Sequence, residues 1–210
     1  MRSKIIENYK KKLKLNAKQK ELIIGKLLGD GHLETQNKGQ TYRFKIEHSI
    51  NQKDYVDWLF EEFKDWTMTL PKIKICESQG KTYQKYWFNT ISHSSFRFYA
   101  QQFYRDGKKV IPKLIHRWLT PLSLAVWFMD DGSLKSKFHR VRIINTQGFS
   151  KKDVLKLIKI LELKFGLKSK LRKQAEGFQI MILAESADKF IQLIRSFILP
   201  SMLYKIKGLD

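Results

Sequence analysis

The sequence predicts an α+β fold made of two pseudo-symmetric αββαββα repeats. Three observations carry that expectation. The order of helical and strand-like segments occurs twice. Two apolar helical stretches each end in Asp-Gly, at Asp30 and Asp131, 101 positions apart. The stretch NQKD at 51–54 recurs as SKKD at 150–153, at nearly the same offset.

The elements follow in order. Residues 1–16 form a basic arm, and residues 1–20 carry eight Lys/Arg against one acid, Glu7. The first repeat spans 17–108, a linker 109–118 and the second repeat 119–210. Asn16 followed by Gln19 has the capping-box pattern, so a helix runs through Leu22, Ile23, Ile24, Leu27 and Leu28 and stops at Gly29, Asp30 and Gly31. Phe44 and Ile46 alternate with Arg43, Lys45 and Glu47, the period of a half-buried strand. Tyr55, Trp58, Leu59 and Phe63 recur at helical spacing in 52–65. Ile73 and Ile75 alternate with Lys72 and Lys74, residues 83–90 form the next strand, and 94–105 a helix. Thr120 then caps a helix with Pro121 in its first turn, running through Leu124, Ala125, Trp127 and Phe128 to Asp130, Asp131 and Gly132. A strand with Arg140 and Arg142 opposite Val141 and Ile143 follows, then an amphipathic helix over 150–164. Lys168, Lys170 and Arg172 alternate with Leu167, Ser169 and Leu171. Phe178, Ile180 and Ile182 mark the last strand, and 185–197 the last helix.

Charge narrows the partners. Forty-one Lys and Arg against 20 acids leave a net charge of +21, which draws a polyanion and releases its counterions on binding. No apolar run approaches the ~18–20 residues of a membrane span, so no membrane partner is expected. One cysteine, Cys76, excludes an internal disulfide and a cysteine zinc site, and no secretory signal is evident; the compartment expected is intracellular. Frequent Lys, Ile and Asn suggest an AT-rich genome such as that of a mitochondrion or chloroplast. The five histidines, His32, His48, His93, His116 and His139, lack metal-ligand spacing and read as structural or DNA-facing.

An Asp-Gly after a helix is by itself a turn. Two at repeat spacing are more. Gly25 and Gly29, four apart, allow another backbone to approach, and the repeat's own counterpart, 121–130, is the natural partner. Packed at a pseudo-two-fold, the two helices bring Asp30 and Asp131 together. Paired carboxylates are costly without cations between them. Oxygen donors suit Mg2+, and metal between paired acids is what phosphodiester hydrolysis needs.

The segments IIGKLLGDG (23–31) and LAVWFMDDG (124–132) resemble the two signature motifs of LAGLIDADG homing endonucleases. LTPLSLAVWFMDDG (119–132), INTQGF (144–149) and LPSMLYK (199–205) extend the likeness to the single-chain, intron-encoded type, over essentially the whole chain after the basic arm. The resemblance implies a monomer that cuts both strands of double-stranded DNA at a long specific target. Each sheet would form half of a DNA-binding saddle, with the repeats packed through the motif helices. It implies Asp30 and Asp131 as metal-binding acids, with Gly29 and Asp130 beside them. Mg2+ would be the cofactor, with Mn2+ substituting and Ca2+ binding without cleavage. By position, Lys109 and Lys205 would orient water or stabilise charge on phosphate, and Gln147, with His48 or Glu47, would hold active-site water. Where the family has small residues, the second motif has Val126 and Asp130. Asp130 is open to two readings, a carboxylate supporting the metal ligands or a polar residue at the helix end; the second is favoured.

A β-surface reads base edges in the major groove, with Lys or Arg on guanine the commonest pairing. The expected DNA-binding set is Arg43, Lys45, Lys72, Lys74, Lys85, Arg140, Arg142, Lys168, Lys170, Arg172 and Gln179, most positioning the backbone and fewer reading bases. The alternative on the same fold is an intron RNA maturase, which needs the basic surface but not the acids.

Overall fold

The computed structural model describes residues 2–136 and 139–207, so the outermost residues of the expected arm and second repeat, 1 and 208–210, lie outside it. The chain divides into two compact units, 1–20 with 31–101, and 21–30 with 102–210. The motif helix of the first repeat therefore groups mostly with the second.

In the first unit the basic arm is a helix, α1 (Arg2–Lys12). The hydroxyl of Tyr9 donates to the Asp65 carbonyl, tying the arm down. The capping box of α2 (Ala17–Leu28) is present: Gln19 N–H donates to Asn16 Oδ1 at 2.8 Å, and Asn16 N–H to Gln19 Oε1 at 3.0 Å. Strands β1 (His32–Glu34), β2 (Arg43–Ser49), β3 (Lys72–Ser78) and β4 (Lys81–Asn89) form an antiparallel sheet in the order β1-β2-β4-β3. Burial alternates along β2, with Phe44, Ile46 and His48 turned inward. Helices α3 (Lys53–Phe63) and α4 (Arg97–Phe103) complete the repeat. Phe63 meets Phe44 edge-on at 5.5 Å, and Phe96 reaches both Phe44 and Trp66.

The second unit opens with a hairpin, β5 (Tyr104–Arg105) and β6 (Lys108–Lys109), and a short helix, α5 (Ile115–Trp118), within what the sequence reads as the end of a helix and a linker. Helix α6 (Pro121–Asp131) begins on a Thr120–Ser123 capping box. Strands β7 (Gly132–Leu134), β8 (Arg142–Asn145), β9 (Ser169–Gln174) and β10 (Gly177–Ile182) repeat the sheet order as β7-β8-β10-β9. Helix α7 (Lys151–Phe165) starts on Ser150 and stops at Gly166, whose φ of 62° is left-handed, a conformation cheapest for glycine. Helix α8 (Ala184–Ile194) closes the repeat and sets Phe190 edge-on to Phe128 at 5.0 Å.

Residues Leu122 to Met129 of α6 are all buried, so this helix is the core of its unit rather than an amphipathic cover. One side of it meets α2 closely. A Cβ on Gly25 would lie 2.5 Å from the Ser123 carbonyl oxygen and 2.7 Å from Val126 Cβ. A Cβ on Gly29 would lie 2.4 Å from Asp130 Oδ2. Val126 and Asp130 thus fill the space the glycines leave, large against small.

This geometry sets the sign of one substitution. In an exposed helix Gly→Ala stabilises by up to ~1 kcal/mol; at Gly25 the new methyl meets backbone, and overpacking of this kind costs about 1–3 kcal/mol. Gly25→Ala is expected to lower the unfolding midpoint in a thermal or denaturant melt. A raised midpoint would contradict the close crossing.

Candidate active site and nucleic-acid interface

The crossing carries three acids to one place. Asp30 follows α2 and is exposed; Asp130 and Asp131 end α6. Asp130 stands at the helix end, as the favoured reading has it, but its side chain is turned out of solvent. Its carboxylate and the Lys26 ammonium are both fully buried and pair at 2.8 Å. Its other oxygen, Oδ2, accepts the backbone N–H of Asp30 at 2.9 Å. A helix C-terminus is the negative end of the dipole, and a free carboxylate there is unfavourable; the buried lysine offsets that cost. Lys26 was missed in the sequence, where its signal is a single charge inside the apolar run IIGKLL.

Lys109 and Lys205 take equivalent places. Lys109 Nζ donates to the Gly29 carbonyl at 2.6 Å. Lys205 Nζ donates to the Asp130 carbonyl at 2.9 Å, and also to that of Met129. Each lysine therefore caps the backbone just before an acid. Burial pushes Lys109 down to about 8, against the raising pull of Asp130, Asp131 and Asp30. Burial also lowers Lys205.

Asp131 differs from its neighbours. Among the described residues none donates to its carboxylate. Burial, then the charges of Asp130 and Asp30, push it up to about 8. Asn145 Nδ2 donates to the Asp131 carbonyl at 2.9 Å, and Asn145 Oδ1 accepts from Gln179 Nε2 at 2.6 Å, so a side-chain chain holds the backbone and leaves the carboxylate open. A cleft of about 240 Å3 brings together Gly29, Lys109, Asp131, Asn145 and Gln147. Asn145 was missed although it lies in the INTQGF stretch; its signal is a polar residue closing the apolar strand RIIN. A half-buried carboxylate without a donor among the described residues, on a cleft that also holds Asn145, Thr146 and Gln147, suits a hard divalent cation.

The candidate DNA-binding residues separate by strand face. On the first sheet the registers Lys45↔Asn89, Glu47↔Trp87, Lys72↔Trp87 and Lys74↔Lys85 place Arg43, Lys45, Lys72, Lys74 and Lys85 on the face opposite Phe44 and Ile46. Glu47 lies among them, with Lys85 at 2.7 Å, Lys45 at 3.7 Å and Lys74 at 3.8 Å. His48 faces inward against Tyr55. On the second sheet Gln179↔Arg172 and Met181↔Lys170 place Lys170, Arg172 and Gln179 on one face, although the Gln179 amide is engaged by Asn145.

Arg142 contradicts the sequence expectation. It shares the inner face of β8 with Ile144, is buried, and donates to the carbonyls of Arg140 and Ile206, so it braces the core instead of facing DNA. Arg140 has the same parity and pairs with Asp188 of α8. Lys168, just before β9, is exposed and pairs with Glu185 at 3.1 Å.

Residues 20–190 match the LAGLIDADG DNA endonuclease family. DNA endonuclease I-ChuI of Chlamydomonas applanata is 30% identical, over 92% of this chain and 96% of that protein. Cytochrome b mRNA maturase bI2 of Saccharomyces cerevisiae is 35% identical, over 91% of this chain and 48% of that protein. The solved structure of homing endonuclease I-WcaI bound to its DNA recognition sequence aligns with a TM-score of 0.93 at 27% identity, over 99% of this chain and 94% of that one. A family match over most of the chain, a range that includes both acid-ended motifs, places this protein: it belongs to the LAGLIDADG DNA endonuclease family.

Proposed function

We propose that this DNA endonuclease cuts both strands of a long, specific double-stranded target as a monomer, with divalent metal held by Asp30 and Asp131. The single observation that carries this reading is the convergence of both acids at the α2–α6 crossing, with Asp131 half-buried and open to the cleft. Mg2+ is the natural ion for such oxygen donors, Mn2+ would substitute, and Ca2+ would bind without supporting cleavage. Bound there, the cation supplies charge to stabilise the phosphate and acidify water.

The chain's own groups do the rest. Lys109 and Lys205, fixed by the Gly29 and Asp130 carbonyls, present ammonium groups where scissile phosphates arrive. Gln147, sharing the cleft with Lys109 and Asp131, orients water on one side. In the first repeat the corresponding role falls to His48 or Glu47. The lysine-rich face of the first sheet, and Lys170 and Arg172 on the second, hold the duplex, and the +21 charge speeds encounter. Relatives named for a cytochrome b mRNA and for a chloroplast protein support an organellar compartment. No described helix is long and apolar enough to cross a membrane.

The maturase relative favours one second reading, binding of intron RNA on the same fold. Metal-independent binding of intron RNA by a chain that cleaves no DNA would establish it in place of the first.

Cleavage-site selection with Mg2+ tests the main reading. Wild type is expected to give double-strand breaks at one long sequence. Asp30→Asn or Asp131→Asn should each reduce double-strand cleavage by more than ~1,000-fold, the scale of several kcal/mol lost at the metal. Equal activity of wild type and the double variant would sink the assignment.

Asp131 also makes a stability prediction. Its raised folded-state value means that the metal-free protein loses stability as pH climbs from the ordinary carboxylate range to about 8. Asp131→Asn should therefore raise the melting temperature of the metal-free protein, more at pH ~8 than at pH ~5. Ca2+ should stabilise wild type and not the variant. An Asn variant less stable than wild type at both pH values would contradict the open, half-buried charge.

A further inference from the structure

Asp130 has no counterpart in the first motif, where Gly29 stands at the equivalent place. Three observations join Asp130 to Lys26 and Gly29. The two charged side chains pair out of solvent at 2.8 Å. Asp130 Oδ2 accepts the Asp30 N–H at 2.9 Å. Gly29 is the position where a Cβ would collide with that oxygen, at 2.4 Å. The carboxylate of one motif thus reaches across a gap left in the other and holds the backbone of the other motif's acid. Among the described residues no carboxylate accepts the Asp131 N–H in return, and the Asp131 carbonyl is held by Asn145.

We propose that the Lys26–Asp130 pair is a positioning device for Asp30 alone, which makes the two strand-cutting centres mechanically unequal. Lys26 fixes the Asp130 carboxylate in one orientation. That orientation aims Oδ2 at the Asp30 amide, and the amide fixes the start of the Asp30 side chain. Neither Lys26 nor Asp130 touches DNA in this role. Loss of the acceptor removes this hold on the Asp30 backbone, while the Asp131 backbone keeps its hold from Asn145. One strand is then cut at the normal rate and the other lags.

The inference rests on the endonuclease reading, and the experiment separates the two. Supercoiled plasmid carrying the selected target is cut with Mg2+, and nicked and linear products are followed with each strand end-labelled. Two double variants remove the buried charges together, avoiding an unpaired ion in the core. Lys26→Met/Asp130→Asn keeps an acceptor for the Asp30 N–H; Lys26→Met/Asp130→Ala does not. The Ala version is expected to accumulate nicked plasmid, with second-strand cutting slowed at least tenfold. The lagging strand should be the one left intact by Asp30→Asn. The Asn version should restore second-strand cutting to within a few-fold of wild type. Melting temperatures report folding separately, and a role in stability alone predicts loss of both strands in proportion to the loss of fold. Even cutting of both strands by the Ala version, or equal lag in both double variants, overturns the positioning role. Failure of wild type to cut any target overturns the endonuclease reading instead.

Discussion

Everything at this site depends on one close approach. Gly25 and Gly29 leave out two side chains, and Val126 and Asp130 occupy the space. That contact brings two helix C-termini together. Their dipoles point negative ends at the same place, and three carboxylates lie there as well. Left alone, such an arrangement would push itself apart. Lys26, Lys109 and Lys205 are what holds it, each buried or nearly so at a helix end.

How the lysines are used decides what the site can do. Only Lys26 is committed to a carboxylate. Lys109 and Lys205 spend hydrogen bonds on backbone carbonyls, which keeps their charge in the site without closing off Asp131. The site is therefore near balance in charge but has an open acid facing a cleft. Under the proposed function a divalent cation would complete it, and a phosphate would meet two ammonium groups. The sheets extend the same logic outward: the open face of the first gathers Arg43, Lys45, Lys72, Lys74 and Lys85, and Glu47 spaces three of those lysines by partial pairing.

Much of this was legible in the sequence because the repeat and the motif glycines are local signals with a physical reason. The capping residues Asn16, Thr120 and Ser150 marked helix starts, and strict alternation gave β2 its correct faces. What was lost has reasons too. Strands β1 and β7 are three residues long, too short for a period of two to register. In β8 the residues Ile143 and Ile144 are both buried, so alternation could not tell which parity faces inward, and Arg142 was assigned to the wrong side. Helix α1 reads as a basic tail because its stability comes from contacts such as Tyr9 with Asp65, distant in sequence. The Lys26–Asp130 pair was invisible for the same reason: each residue alone looks like a charge at the end of an apolar helix, and only the crossing joins them.

The most direct test of the account is anomalous scattering from Mn2+ in crystals of the protein with its target DNA. The account predicts metal within about 2.5 Å of carboxylate oxygens of Asp30 and Asp131, the range for oxygen ligands of hard cations. Lys26 would remain on Asp130. Metal bound to Asp130 with Lys26 displaced, or no metal at the α2–α6 crossing, would contradict it.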